Sequence, residues 1–419
     1  MELKPGYKRT EVGVIPEDWQ DIRLGDIAVI SSGGTPSRQN PAYWNGTIPW
    51  ITTSEIDFSV INQANQFITE AGLRNSAAKL FPPGTLLMAL YGQGKTRGKT
   101  AILGIEAATN QACASIEINQ KVDKDYLFHL LSSKYEFIRT LSNTGNQENL
   151  NGNIVRNISV AAPPLSEQQA IATTLSDINA LISSLDQLIT KKRDIKQATM
   201  QQLLTGKQRL PGFIGKRKKM ALSEIGECIR GVSYRGDSDL AAYDMEWTKR
   251  LLRANNVQRS AVVFEDMQYV NAERVAPQQM LQFGDILICM ANGSKALVGK
   301  AARFSLKKND HYTFGAFMGC FRTRQATADS LFVSLLFQSH EYRIQIGNLL
   351  AGSSINNLTP KSIESLEFVF PERSEQAAIA SVLSDMDTEI AALEHKRDKT
   401  RALKQGMTQE LLTGRIRLV

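Results

Sequence analysis

A chain of 419 residues, 42% apolar and 22% charged, is long enough for two or more cores and too evenly composed for a disordered or fibrous protein. No stretch approaches the roughly 20 consecutive apolar residues that cross a bilayer, and the N-terminal "MELKPGYKRTEVGVIPEDW" lacks a signal-peptide core, so the expectation is a cytoplasmic protein with no membrane partner. Net charge is +7, with ten Lys/Arg against four Asp/Glu across 165–219, which fits either a polyanionic partner or a well-solvated linker.

In chain order, "LGDIAVISSGG" (24–34) and then "NPAY" (40–43) come first. The latter is close to the Asn-Pro-Pro-Tyr signature of amino-methyltransferases, but Ala42 replaces the second proline and no glycine-rich loop precedes it. "GTLLMALYG" reads as a glycine-bounded strand. It runs into "YGQGKTRGKT" (91–100), which holds two Gly-Lys-Thr triplets. A Walker A loop needs a leading glycine five residues before the second; those positions hold Ala89 and Gln93. The following "AILGIEAATNQACASIEI" reads as strand rather than helix, so neither triplet qualifies as a Walker A loop. "DYLFHLLSSKYEFIRTL" (125–141) has helical periodicity.

Two segments then repeat. "SEQQAIATTLSDINALISSLDQLITKKRDIKQATMQQLLTGKQRL" from Ser166 and "SEQAAIASVLSDMDTEIAALEHKRDKTRALKQGMTQELLTGRIRL" from Ser374 align without a gap and match at 22 of 45 positions. Fainter matches pair 24–34 with 222–232, 82–102 with 282–302 (Gly98–Lys99 over Gly299–Lys300) and 149–164 with 357–372. The order is A–B–A′–B′, with B alike and A divergent: one constant frame carrying two different readers.

The B segments show apolar steps of four and three. The seam is Ile171, Leu175, Ile178, Ile182, Leu185 and Ile189 in the first copy, then Ile379, Leu383, Met386, Ile390 and Leu393 in the second. Ser166 with Gln169 reads as a capping box, and Gly206 and Gly414 as helix stops. These helices pair with each other or each packs alone on its own domain; matched seams favour pairing. The fold class is α+β, two globular domains joined by two long antiparallel coiled-coil helices in a pseudo-twofold repeat. The expected boundaries are 1–163, 164–213, 214–372 and 373–419.

Cys113, Cys228, Cys289 and Cys320 are scattered, as are His129, His311, His340 and His395, so no zinc site or disulfide framework is read, and the cysteines are expected as buried small hydrophobes. No metal motif, nucleophile elbow or other complete active site is present.

The long stretches "YKRTEVGVIPEDW" (7–19), "SGGTPSRQNPAYWNGTIPWITTSEI" (32–56), "PLSEQQAIATTLSDIN" (164–179) and "LLTGKQRLPGF" (203–213), with their second copies, resemble the specificity subunit of type I restriction–modification enzymes over essentially the whole chain. The resemblance implies a non-catalytic subunit. Two target recognition domains each read one half of a bipartite site on double-stranded DNA, and the helices set the spacing. Two methyltransferase subunits and two restriction/translocase subunits are the implied partners. S-adenosylmethionine, ATP and Mg would reside on those partners and no cofactor on this chain. The rivals are a stand-alone coiled-coil adaptor, an ATPase and an adenine methyltransferase.

Base edges and phosphates are met by amides, hydroxyls and cations. The first-domain candidates are Thr35, Ser37, Arg38, Gln93, Lys95, Arg97, Lys99, Asn146, Gln147 and Asn149. In the second they are Tyr234, Arg235, Arg253, Asn255, Asn292, Ser294, Lys295, Ser353 and Asn356. Turn formation by Asn, Gly and Ser is the alternative at each. Trp44, Trp50 and Trp247 are expected in the core. The second domain lacks an equivalent of "TPSRQNPAYW", showing "SYRGDSDLAAYDMEW" instead.

Overall fold

The computed structural model describes residues 4–92, 94–119, 121–141, 149–307, 311–351 and 356–418. The chain divides into two compact units, Met1–Asp186 with His395–Val419, and Gln187–Glu394. Each therefore takes half of each long helix.

The first unit holds a five-stranded sheet in the order Ala28–Ser32, Cys113–Ile118, Leu86–Ala89, Thr100–Leu103, Val60–Ile61. A four-stranded sheet follows the order Gln66–Ile68, Trp44–Ile51, Ala107–Thr109, Leu80–Phe81. The second unit repeats this plan. One sheet runs Gly226–Arg230, Met318–Thr323, Ile286–Cys289, Ala301–Arg303, and the other Leu240–Ala241, Gln268–Asn271, Thr248–Leu252, Tyr312–Phe314. Even the unusual pairings recur: Trp44–Ile51 is parallel to Ala107–Thr109, and Thr248–Leu252 is parallel to Tyr312–Phe314. The faint repeats of the sequence are thus real elements. Stretches 24–34 and 222–232 each make a one-turn helix and a strand, Leu24–Ile27 into Ala28–Ser32 and Leu222–Ile225 into Gly226–Arg230.

The two long helices run Leu165–Thr205 and Arg373–Leu411. Gly206 and Gly414 lie just beyond them with φ of 75° and 67°, a left-handed conformation that stops a helix at little cost only for glycine. The capping box does not form. The first helix already begins at Leu165, which puts Ser166 inside it, and the amide of Gln168 donates to the Pro164 carbonyl. Gln168 anchors the start instead. Its side chain donates to the Pro163 carbonyl at 2.8 Å and accepts from the Asp123 amide at 2.8 Å. Gln376 does the same with Pro371 and Asp329 at 2.9 Å each.

Within each unit the helix halves pair antiparallel. In the first, Asp186 accepts from Arg397 at 3.3 Å and Arg401 at 2.7 Å. In the second, Lys192 meets Glu389 at 2.6 Å and Lys196 meets Asp387 at 2.5 Å, while Arg193 contacts Glu394. The seam residues are buried (Ile171, Leu175, Leu185, Ile189, Ile379, Leu383, Ile390) or half-buried (Ile178, Ile182, Met386, Leu393). Both packing modes read from the sequence coexist. Ile171 and Leu175 join Leu411 and Leu412 in the first domain's core, and Ile379 and Leu383 join Leu203 and Leu204 in the second's.

The ends of the repeats lock reciprocally. Arg417, from the tail of the second repeat, grips the buried Glu167 at the head of the first at 2.6 and 2.8 Å. Arg209, from the tail of the first, grips the buried Glu375 of the second at 3.1 and 2.5 Å. All four cysteines are free and buried, as expected of small hydrophobes, and burial pushes the Cys228 thiol up to about 12. No helix among the described residues is long and apolar enough to cross a membrane.

Candidate nucleic-acid interface

In the first domain, the strand Ala28–Ser32 leads into Gly33 and Gly34, where the chain passes through a space too narrow for any side chain. A Cβ on Gly33 would lie 1.9 Å from the Thr109 carbonyl oxygen, and one on Gly34 2.4 Å from the Ala77 carbonyl carbon. This tight passage presents Thr35, Ser37 and Arg38, all exposed. Thr35 Oγ1 donates to Gln111 Oε1 at 2.5 Å. The guanidinium of Arg38 stacks 3.6 Å from the Trp44 ring centroid and donates to Gln66 Oε1 at 2.7 Å. "NPAY" is a capped turn: Asn40 Oδ1 accepts from the Ala42 amide ahead of the single turn Pro41–Tyr43.

The stretch 91–100 is a glycine-shaped loop between the strands Leu86–Ala89 and Thr100–Leu103, with Gly92, Gly94 and Gly98 all at positive φ. A strand follows it, not the helix a phosphate-binding loop opens. Exposed Lys95 is fixed through its carbonyl, which accepts from Tyr135 Oη at 2.6 Å. Lys99 pairs with Asp57 at 2.6 Å. Arg97 is buried, only 7% exposed, and so serves the loop's interior rather than its surface. Asn149 is half-buried, next to Leu150, whose amide donates to the Leu90 carbonyl at the mouth of the loop. Gln93, Asn146 and Gln147 lie outside the described residues, as does Ser353 of the second domain.

In the second domain the loop after Ile286–Cys289 keeps the same backbone plan. Gly98 N–H donates to the Ala89 carbonyl at 2.9 Å, and Gly299 N–H to the Cys289 carbonyl at 2.8 Å, each glycine at positive φ. Leu358 donates to Met290 as Leu150 does to Leu90. Around this loop Asn292 Oδ1 accepts from the Ser294 amide, Lys295 is exposed, and Asn356 Nδ2 reaches the Gly293 carbonyl at 3.4 Å. Asn255 and Arg253 both donate to Asp266. Tyr234 donates to Gln268 at 3.3 Å, and the Arg235 amide to Asp239 at 2.7 Å.

A cleft of about 570 Å³ brings Asn255 and Asn292 together with Gln258, Arg259, Cys289 and Lys300, and among the described residues no carboxylate lines it. Arg259 escaped the sequence reading. It and Ser260 form the two-residue turn between the strands Val257–Gln258 and Ala261–Val262, with φ of 47° and 62°. That mirror-image turn ordinarily takes Asn-Gly, so Arg-Ser carries no hairpin signal. Trp247, expected in the core, is 49% exposed; Trp50 is buried at 2%, and Trp44 is half-buried under Arg38. Among the described residues, no group of three or more His, Cys, Asp or Glu is placed to hold a metal ion.

Two domains of one framework, each rimmed by a different set of amides, hydroxyls and cations and each seated on paired helices, define a repeat-built recognition protein. The sequence model of the type I restriction modification DNA specificity domain matches residues 16–193 and again 216–400, and the chain belongs to that family. Among curated relatives, the type I restriction enzyme MjaVIII specificity subunit of Methanocaldococcus jannaschii is 22% identical over 96% of this chain and 94% of its own. The MjaIX specificity subunit of the same organism is 31% identical over 42% of each chain, so the chain spans less than half of that relative in the match. Of solved structures, the type I restriction–modification S subunit from M. genitalium superposes with a TM-score of 0.59 at 13% identity, covering 98% of both chains. A chain from a study of type I R-M system assembly and conformational transition gives a TM-score of 0.58 at 18% identity, covering 96% of this chain and 99% of that one. These likenesses support the α+β fold with its repeat.

Proposed function

We propose that this specificity chain reads a bipartite sequence on double-stranded DNA, one half-site per domain, and performs no chemistry itself. The observation that carries this is the repeat: two domains keep the same sheet plan, the same loop closed by one positive-φ glycine and the same helix anchors, while their exposed polar residues differ. A shared frame with divergent rims is what two readers of different base sequences require, because base edges specify while backbone contacts merely position. The helices set the separation of the half-sites, as dimer geometry does in twofold DNA-binding proteins. Two methyltransferase subunits would use S-adenosylmethionine to place N6-methyl groups on one adenine per strand. Restriction/translocase subunits would add ATP-dependent cleavage of unmodified DNA.

Mapping N6-methyladenine across the host genome with and without this gene tests the reading. The expected result is a bipartite motif that vanishes with the gene, and exchange of the two divergent segments should exchange the half-sites. Methyl transfer from labelled S-adenosylmethionine by the purified chain alone would instead show an enzyme and overturn the proposal.

A further inference from the structure

We propose that Arg38 reads a guanine in the half-site of the first domain, with Trp44 and Gln66 as its positioning residues; this rests on the DNA-reading function proposed above. Most arginines with mapped partners in this protein are spent on carboxylates: Arg250 on Asp244, Arg322 on Asp285, Arg417 on Asp18 and Glu167. Arg38 is exposed, and its only partners among the described residues are neutral. Its positive charge is therefore held in place without being neutralised.

The holding is specific. The guanidinium carbon lies 3.6 Å from the Trp44 ring centroid and 5.1 Å from that of Trp50, which fixes the plane of the group. Gln66 Oε1 accepts one hydrogen from Nη2 at 2.7 Å, which fixes rotation within that plane. Trp44 is itself pinned. Its indole N–H donates to the Ser37 carbonyl at 3.0 Å, and its ring meets the buried Trp50 edge-on at 5.1 Å. Both supports act on the guanidinium before any ligand arrives, so little of the arginine's rotamer freedom remains to be lost on binding.

What remains free is a fork. With one Nη2 hydrogen used, the other still lies side by side with a neighbouring donor in the plane, either Nη1–H or Nε–H. Two parallel N–H donors match the O6 and N7 acceptors on the major-groove edge of guanine, the commonest arginine–base contact. A phosphate can accept the same fork bidentately; the base is favoured here because the indole and the amide together set both the plane and the rotation of the group before binding. Among the described residues of the second domain, Arg250 lies over Tyr312 paired with Asp244, and Arg303 lies over Phe283 beside Ser330, so neither repeats the indole-and-amide setting of Arg38, consistent with half-sites of different sequence.

The test maps N6-methyladenine genome-wide in a host carrying the full chain with its partner subunits, for wild type, Arg38→Ala, Arg38→Lys, Gln66→Leu and Trp44→Leu. The expected wild-type motif holds a guanine in the first-domain half-site. In Arg38→Ala and Arg38→Lys that one position becomes degenerate, discrimination falling roughly five- to hundredfold, with the second half-site unchanged. Gln66→Leu and Trp44→Leu relax the same position to a lesser degree. Arg38→Lys keeps the charge and the fold, so it answers for the case in which the alanine variant fails to fold. A motif that stays intact while methylation drops evenly at every site would mark a phosphate contact and overturn the proposal. So would relaxation at a position that is not guanine, or loss of all methylation in Arg38→Lys. If no gene-dependent motif exists in the wild type, the DNA-reading function itself falls, a result distinct from a motif that ignores Arg38.

Discussion

His129 sits on the helix Lys124–Ser133 against the first long helix, its Nε2 3.1 Å from Ser176 Oγ. Burial holds its pKa down at about 4, nearby Lys404 lowers it further, and Asp123 opposes both. An unfolded histidine titrates near 6.5. Above that pH neither state binds the proton, and the contribution to stability is complete. Between about 6.5 and 4 the unfolded chain is protonated while the folded chain is not, so acidification erodes stability, by up to about 1.4 kcal/mol per pH unit. Below about 4 the loss is complete. Denaturant midpoints followed from pH 7 to pH 5 should fall more steeply in the wild type than in His129→Gln; parallel curves would show that His129 does not drive the change. Nothing in the sequence around His129 announced this. Its burial depends on a long helix some forty residues away, and single-residue environments were the least legible level throughout. Arg97 looked like a phosphate ligand and is buried, while Trp247 looked like core and is 49% exposed. Arg259 reaches its cleft through a turn that its own residue types disfavour.

Elements were far more legible, because their signals sum over many residues. The apolar steps of the long helices and the glycine-bounded strand of "GTLLMALYG" stand where the pattern put them, whereas the one-turn helices Leu24–Ile27 and Leu222–Ile225 carried no signal of their own. The misplaced capping box has a physical cause: a glutamine side chain bonded to a distant loop replaces a local serine cap. The helix ends also differ in how they are locked. Glu167 is held by Arg417 and by the Trp19 indole N–H at 3.1 Å, whereas Glu375 is held by Arg209 and by Arg217 at 2.7 Å. Removing one partner of a buried ion pair strands the other charge, at roughly 3–5 kcal/mol. Arg417→Ala leaves Glu167 without a cation, and since the Arg417 side chain is 29% exposed a cost near the lower bound, about 3 kcal/mol, is expected. Arg209→Ala leaves Glu375 still paired with Arg217, and should cost nearer 1 kcal/mol. Hydrogen exchange in each domain reads the two effects separately. Equal losses would mean that the second arginine of Glu375 does not compensate.

For the whole molecule, the repeat and its A–B–A′–B′ order could be read directly, since similarity between two copies needs only the chain itself. Charge was the weaker guide. The basic stretch 165–219 suggested a polyanion surface or a solvated linker, yet six of its ten cations are engaged with carboxylates. Lys192, Arg193 and Lys196 tie the helices together, Arg209 and Arg217 hold Glu375, and Lys219 meets Glu367. Arg209 and Arg217 meet a buried carboxylate, the other four pairs lie at the surface, and the remainder of the chain is close to neutral. Non-specific DNA affinity comes from phosphate neutralisation, and log K falls with log[salt] at a slope of about −0.9 per phosphate neutralised. A chain whose recognition domains are close to neutral should therefore bind DNA weakly on its own, with a shallow slope, and its partner methyltransferase subunits should supply much of the basic channel. Titration of DNA with the isolated chain and with the assembled complex, each from about 50 to 200 mM salt, decides this. The complex should bind more tightly with a clearly steeper slope; tight, salt-resistant binding by the isolated chain would place the affinity in the specificity subunit instead.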